Sequence, residues 1–270
     1  MVFGIFTRKS LLGPETTQWL WATFAWALKN FGTNHFYEDA ILVTPTHEHF
    51  PDRANNPDDG ANKTFERVKQ FAGMGNWRCE LEPQENDVNN VVAPTLVVQG
   101  VPKNPAGTFS VDTYGDGKTE KFVITYNPDQ LQYPEALVAT FAHELAHYLA
   151  IGLGADEPPP GGENYWEHAT DLLAVVMGFG IFQANSAFIF QQFTSVDSQG
   201  WSTQQLGYLS ESELTYALAI FSVLKNIDND QILPHLDPHL RSFFKKARKE
   251  IAKSEENLSS IKQISERKWR

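Results

Sequence analysis

Two histidines four residues apart carry the strongest chemical signal in the chain: His143 and His147, in the pentad His143-Glu144-Leu145-Ala146-His147. On a helix this separation sets both imidazoles on one face, where they can share one metal ion. In a chain of this composition the five-residue pattern arises by chance about 0.016 times. Two carboxylates follow, Glu167 and Asp171, one helical turn apart, so they too can project together from a helix. A catalytic zinc takes three protein ligands and a water, which leaves the third ligand to be found.

Known zinc-hydrolase spacings narrow the choice. The metzincin pattern requires a glycine at position 150 and a histidine near 153, where this chain has Ala150 and Leu153. The deformylase pattern requires a cysteine between glycine and leucine, whereas Cys79 sits in Asn-Trp-Arg-Cys-Glu. His147 is instead separated from Glu167 by nineteen residues, and Asp171 follows four later. In both motifs and in the gap between them the chain resembles the gluzincins, the thermolysin-like zinc metallopeptidases. The resemblance covers about residues 120–175.

That resemblance implies that His143, His147 and Glu167 bind Zn2+, that Glu144 is the general base, and that Asp171 hydrogen-bonds the far nitrogen of His143. It implies a zincin-like α+β fold, with a small, mostly antiparallel sheet packed on a helical core that carries both motif helices. It also implies that the strand Lys121–Tyr126 is an edge strand able to pair with an extended substrate. Thermolysin-like enzymes carry an arginine and a histidine further downstream in the substrate site, yet this chain has no arginine between Arg78 and Arg241. Tyr208, in Gly-Tyr-Leu-Ser, is the candidate oxyanion donor, with core packing as its other reading. His168 is turned about 100° from Glu167 on a helix and is a neighbour rather than a ligand.

The elements that must position these residues are legible from periodicity and punctuation. A helix is expected from Pro134, a favoured first-turn residue, to about Ile151. On it His143, His147, Thr140, Ala136 and Glu144 fall in one arc, opposite Val138, Phe141, Ala142, Leu145 and Leu149. A second ligand helix is expected from Asn164 through the apolar run Leu172 to Phe190, which Gln183, Asn185 and Ser186 mark as a buried core helix rather than a membrane span. The loop 152–164 between them, with glycines and Pro158-Pro159-Pro160, reads as a connector or as a lid.

Further elements flank this core. Pro14–Phe31 reads as a helix stopped by Gly32, its tryptophans serving the core, and Ala40–Thr44 reads as a short strand. His47 and His49 have no third ligand at a useful spacing. Asn55–Glu66 echoes a calcium loop, but Pro57 and a lysine spoil it, leaving a polar turn before a helix from about Asn62. Glu80–Asn90 reads as a polar connection, and Val91–Val101 contains a β-rich run. Thr108–Tyr114 and Glu120–Tyr126 flank Gly115-Asp116-Gly117-Lys118 as a hairpin. Ser210 and Glu213 form a capping box before a helix, and Asp237-Pro238 opens a long final helix with Leu240, Phe244, Ala247 and Ile251 as its apolar stripe.

Charge is distributed unevenly over these elements. The net charge is -11, but Arg241 to Arg270 alone is +6, leaving -17 for the rest. No lysine or arginine lies between Lys121 and Lys225, a stretch that holds eleven carboxylates. Nucleic acid is thereby excluded as a partner of the body of the protein. The cation-free stretch is read either as a buried helical core or as a site selecting cationic or neutral substrates. The basic C-terminal helix is expected to dock on the chain's own acidic body, with a solvated tail and an external acidic surface or membrane as the alternatives.

A single cysteine excludes an intrachain disulfide framework and suits a reducing compartment, and no secretory signal is read at the N-terminus, so a cytoplasmic location is expected. The chain divides into an N-terminal α/β region (1–105), a zincin-like core (106–236) and the basic helix (237–270), or forms one domain. The function expected is zinc-dependent hydrolysis of peptide bonds in a peptide or protein substrate. The alternative is a non-catalytic zinc protein acting as a binding or regulatory module.

Overall fold

In the computed structural model, which describes residues 10–84, 106–113, 120–151, 157–194 and 208–264, the helices that start at Pro14, Pro57, Pro134 and Glu211 begin where the sequence supplies a fixed φ or a capping side chain. Helix α1 (Pro14–Phe31) starts on a proline and ends at Gly32, whose φ of 103° is a conformation that glycine adopts without strain. Its buried face holds Leu20, Phe24, Ala27, Leu28 and Phe31, as the spacing predicts, together with Trp21 and Trp26. Helix α2 (Pro57–Phe71) begins five residues earlier than expected, because the Asn56 side chain accepts the Asp59 amide and Pro57 takes the first turn. Asp59, the residue nearest to a calcium ligand, is occupied by the Asn55 amide at 2.7 Å and by Lys63 at 2.7 Å.

Among the described residues the sheet has three strands, β1 (Glu80–Pro83), β2 (Gly107–Thr113) and β3 (Glu120–Tyr126), in the order β1-β3-β2. The expected hairpin is present, in register from Gly107 opposite Tyr126 to Thr113 opposite Glu120. β1 falls where the sequence reads as a polar connection, yet it pairs parallel to β3, Glu80 opposite Val123, so the sheet is mixed. This corrects the placement of the edge. β3 is the central strand, and among the described residues β2 is the outer one beside the helices. The β-rich run within 91–101 and the turn 114–119 lie outside the described residues.

Helix α3 (Pro134–Ala150) is the centre of the molecule, packed between the sheet and the helices α4 (Trp166–Ala174) and α5 (Gly180–Thr194). From Ala136 to Ala150 every residue except His147 is buried, so the expected polar arc is covered as well as the apolar one. The second ligand helix is not continuous. A wide turn at Val175–Phe179 separates α4 from α5, with Gly178 at φ 104°. A side chain at 178 would strike the carbonyl oxygen of Ile41, and the Gly178 carbonyl accepts the Val43 amide at 3.0 Å. Residues 40–44 therefore form no strand; they are an extended segment held against this break.

Helix α6 (Glu211–Leu224) carries the expected reciprocal capping box of Ser210 and Glu213. After the short helix α7 (Asn229–Ile232), the expected long final helix is two pieces, α8 (Arg241–Ile251) and α9 (Glu255–Lys262), parted at Ser254. The stripe Leu240, Phe244, Ala247 and Ile251 is buried, and α8 packs on α6. One apolar cluster runs through all of these elements, with Phe24, Leu145, Phe221 and Phe244 among its members. The fold class is α+β. Among the described residues no helix is long and apolar enough to cross a membrane.

Candidate metal centre

Two helices supply the centre. α3 presents His143 and His147 one turn apart, and α4 packs beside it and presents Glu167 and Asp171 from its own successive turns. His143 Nε2 and His147 Nε2 lie 3.0 Å apart, and Glu167 Oε2 stands 3.4 Å from the first and 3.5 Å from the second. Zinc bonded to nitrogen and oxygen at about 2.0–2.1 Å in a tetrahedron has ligand–ligand edges of about 3.3–3.4 Å. The three edges bracket that value, so the donor set fits a tetrahedral divalent cation in both chemistry and spacing. Among the described residues no other group of three or more His, Cys, Asp or Glu side chains converges in this way.

The back of the cluster is built from Asp171. Its Oδ1 lies 2.8 Å from His143 Nδ1, while its Oδ2 accepts the Leu209 amide at 2.8 Å. A neutral His143 whose Nδ1–H donates to Asp171 carries its lone pair on Nε2, aimed at His147 and Glu167. Burial disfavours a charged His143, but the bonds to Asp171 and Glu167 and the charges of Asp171 and Glu144 outweigh it and raise its pKa well above the ordinary value. Burial likewise opposes ionisation of Glu167, yet the charge of His147 and the bonds from both histidines hold that carboxyl well below its usual range. A cation bound by these groups would displace the imidazole protons and pair with the carboxylate charge.

Access is one-sided. The His143 side chain is 2% exposed, whereas those of His147 and Glu167 are 25% and 21% exposed. Glu144 is buried beneath the sheet, and burial raises its pKa, with Glu167 and Asp171 adding to the shift and both histidines opposing it. Tyr208 packs beside the cluster, its ring centroid 5.5 Å from that of His143. Burial first, then the charges of Glu167, Glu144 and Asp171, lifts its phenol well above the ordinary value, so it stays protonated.

The remaining sequence candidates lie elsewhere. His168 packs at 5.4 Å from the Tyr165 ring and 6.0 Å from Trp19, away from the triad. His49 Nδ1 accepts the Thr44 amide at 3.2 Å and organises a turn. The connector between the ligand helices is strapped to α1, since the indole N–H groups of Trp19 and Trp26 donate to the carbonyls of Pro160 (2.7 Å) and Glu157 (3.3 Å). Residues 152–156 lie outside the described residues. Two surface clefts of about 510 and 530 Å3 are lined by other residues and do not include the triad.

Two participants were not singled out from the sequence. The Leu209 backbone amide fixes Asp171, and a main-chain group has no residue signature. Gly107, at the start of β2, brings the strand against Glu144; a glycine opening a β-rich run was the available signal. The chain matches no protein-family model, no curated protein and no solved structure.

Proposed function

We propose that the chain is a zinc-dependent hydrolase that cleaves peptide bonds in a peptide or protein substrate. The observation that carries this reading is the convergence of His143, His147 and Glu167, with donor atoms within 4.8 Å of one another and Asp171 fixed behind His143. Zinc bound at such a site polarises a scissile carbonyl and lowers the pKa of a bound water. The chain's own residues do the rest. Glu144, buried and raised in pKa, takes a proton from the attacking water and delivers it to the leaving amine. Tyr208, held in its protonated form, donates a hydrogen bond to the oxygen on which charge develops.

The test is a set of three variants assayed for metal by elemental analysis and for turnover on a peptide library. The parent should carry one zinc per chain. Glu144→Gln should keep the metal and lose about 10²–10⁴-fold in turnover, while His147→Ala and Glu167→Ala should lose both. Turnover by Glu144→Gln at the parent rate would end the base assignment. The absence of arginine between Arg78 and Arg241 supports a second reading, a non-catalytic zinc protein acting as a binding or regulatory module. That reading is favoured if fully metallated parent cleaves nothing in the library.

A further inference from the structure

The closest approach of the sheet to α3 falls at Gly107, the first residue of β2. A Cβ built there would lie 2.6 Å from Thr140 Cγ2, 2.9 Å from the Thr125 carbonyl oxygen and 3.0 Å from Glu144 Oε1. Carbon–carbon contact is optimal near 3.5–4.0 Å, so no side chain fits without movement of the strand, the helix or the carboxylate. Gly107 has no left-handed backbone, since its φ lies outside that region, so the requirement is one of space alone.

The neighbours leave little freedom for the strand or the helix to move. Thr140 is buried one turn before Glu144 on α3, and its hydroxyl donates to the side-chain oxygen of the fully buried Gln130 at 2.9 Å. The Thr125 carbonyl belongs to β3, whose register with β2 places Gly107 opposite Tyr126. Of the three nearest groups, the Thr125 oxygen is backbone and the Thr140 methyl is held by the hydroxyl's bond to Gln130, which leaves the Glu144 carboxylate, the far end of the longest side chain, as the freest to move.

We infer that Gly107 is a positioning residue for Glu144: the missing side chain fixes where the carboxylate sits and keeps open the space beside it. The inference rests on the proposed role of Glu144 as base. The three atoms nearest to a Cβ at 107 belong to Thr140, Thr125 and Glu144 and not to His143, His147 or Glu167, so metal binding is tested separately from it.

The experiment uses the full chain with Gly107→Ala, Thr140→Ser and the double variant. Thr140→Ser removes the methyl group that clashes worst and keeps the hydroxyl that donates to Gln130. All three variants should bind one zinc with parent affinity. Gly107→Ala should lower Tm and lower kcat by about 10²-fold with KM within about threefold, as for a misplaced catalytic group. In the double variant Tm should recover while kcat does not, and its crystal structure should show the Glu144 carboxylate displaced and both histidines in place. Recovery of kcat together with Tm, or an undisplaced carboxylate, would overturn the inference. A metallated parent that cleaves no peptide removes the peptidase reading alone; the crystal structure then decides the placement of Glu144 by itself.

Discussion

Asp171 spends one oxygen on each of two partners: Oδ1 bonds His143 Nδ1 and Oδ2 accepts the Leu209 amide, both at 2.8 Å. Tyr208 precedes Leu209, so the carboxylate that orients His143, a candidate metal ligand, also anchors the segment that carries the phenol. An asparagine at 171 has one acceptor and must turn its NH2 toward one of two N–H groups. Asp171→Asn is expected to weaken zinc binding by about 10–100-fold and to cost about 1–3 kcal/mol in stability. Competition with a chromophoric chelator reads the first and urea unfolding the second. An unchanged zinc affinity would show that packing alone orients His143.

Cys79 supplies a pH dependence away from the His143, His147 and Glu167 cluster. Burial, opposed by the charge of Lys69, pushes its thiol up to about 11. The folded chain therefore holds this proton more tightly than the unfolded chain. The stabilisation is fully present below the unfolded thiol value of about 8.5 and is lost as pH rises through the folded value. At pH 8, iodoacetamide should modify native Cys79 about 10²-fold more slowly than it modifies the chain in urea, because the thiolate is the nucleophile. Equal labelling rates in the two states would contradict the assignment.

What the sequence discloses here is mostly local. The starts of α1 and α3 on prolines, the Ser210–Glu213 box and the β2–β3 hairpin each depend on residues a few positions apart, and each stands where the pattern puts it. The triad is legible because helical periodicity converts four-residue spacing into a shared face. The parallel pairing of β1 with β3 is a different matter, because Glu80 and Val123 meet across more than forty residues and β1 carries charged and proline residues. The Leu209 amide on Asp171 leaves no trace in residue types. The break after α4 escapes for the same reason: Gly178 stands in an apolar run that periodicity continues as helix, and what stops it is a backbone segment from residues 40–44.

Gly178 is accordingly the residue on which that break depends. At φ 104° an alanine pays the left-handed penalty, and its Cβ meets the Ile41 carbonyl. Gly178→Ala should destabilise the fold by about 3 kcal/mol or more, combining backbone strain with overpacking. Since α4 ends at Ala174 and carries Glu167 and Asp171, zinc affinity should fall with it. Denaturant unfolding at constant m checks the first effect, and metal titration the second. A near-neutral variant would mean that the 40–44 segment yields instead.

The basic C-terminal helix docks, but its lysines are not what hold it. Lys245, Lys246 and Lys249 are exposed, and among the described residues none of them forms an ion pair, although the rest of the chain carries -17. The buried groups are Phe244, Ala247 and Ile251, and the polar anchor is the one acidic residue of α8. Glu250 accepts from the Ser10 hydroxyl at 3.1 Å, the Leu11 amide at 3.2 Å and the Tyr216 hydroxyl at 3.0 Å, tying α8 to the N-terminal segment and to α6. Glu250→Gln retains one acceptor oxygen and turns an NH2 toward a donor, and should cost about 1.5–3 kcal/mol. Phe244→Ala should cost about 3–5 kcal/mol through the cavity it leaves. Lys245→Glu and Lys246→Glu should stay within about 0.5 kcal/mol of the parent. If charge held the helix, the lysine variants would be the damaging ones and added salt would lower Tm; thermal unfolding of all four variants at low and high salt separates the two accounts.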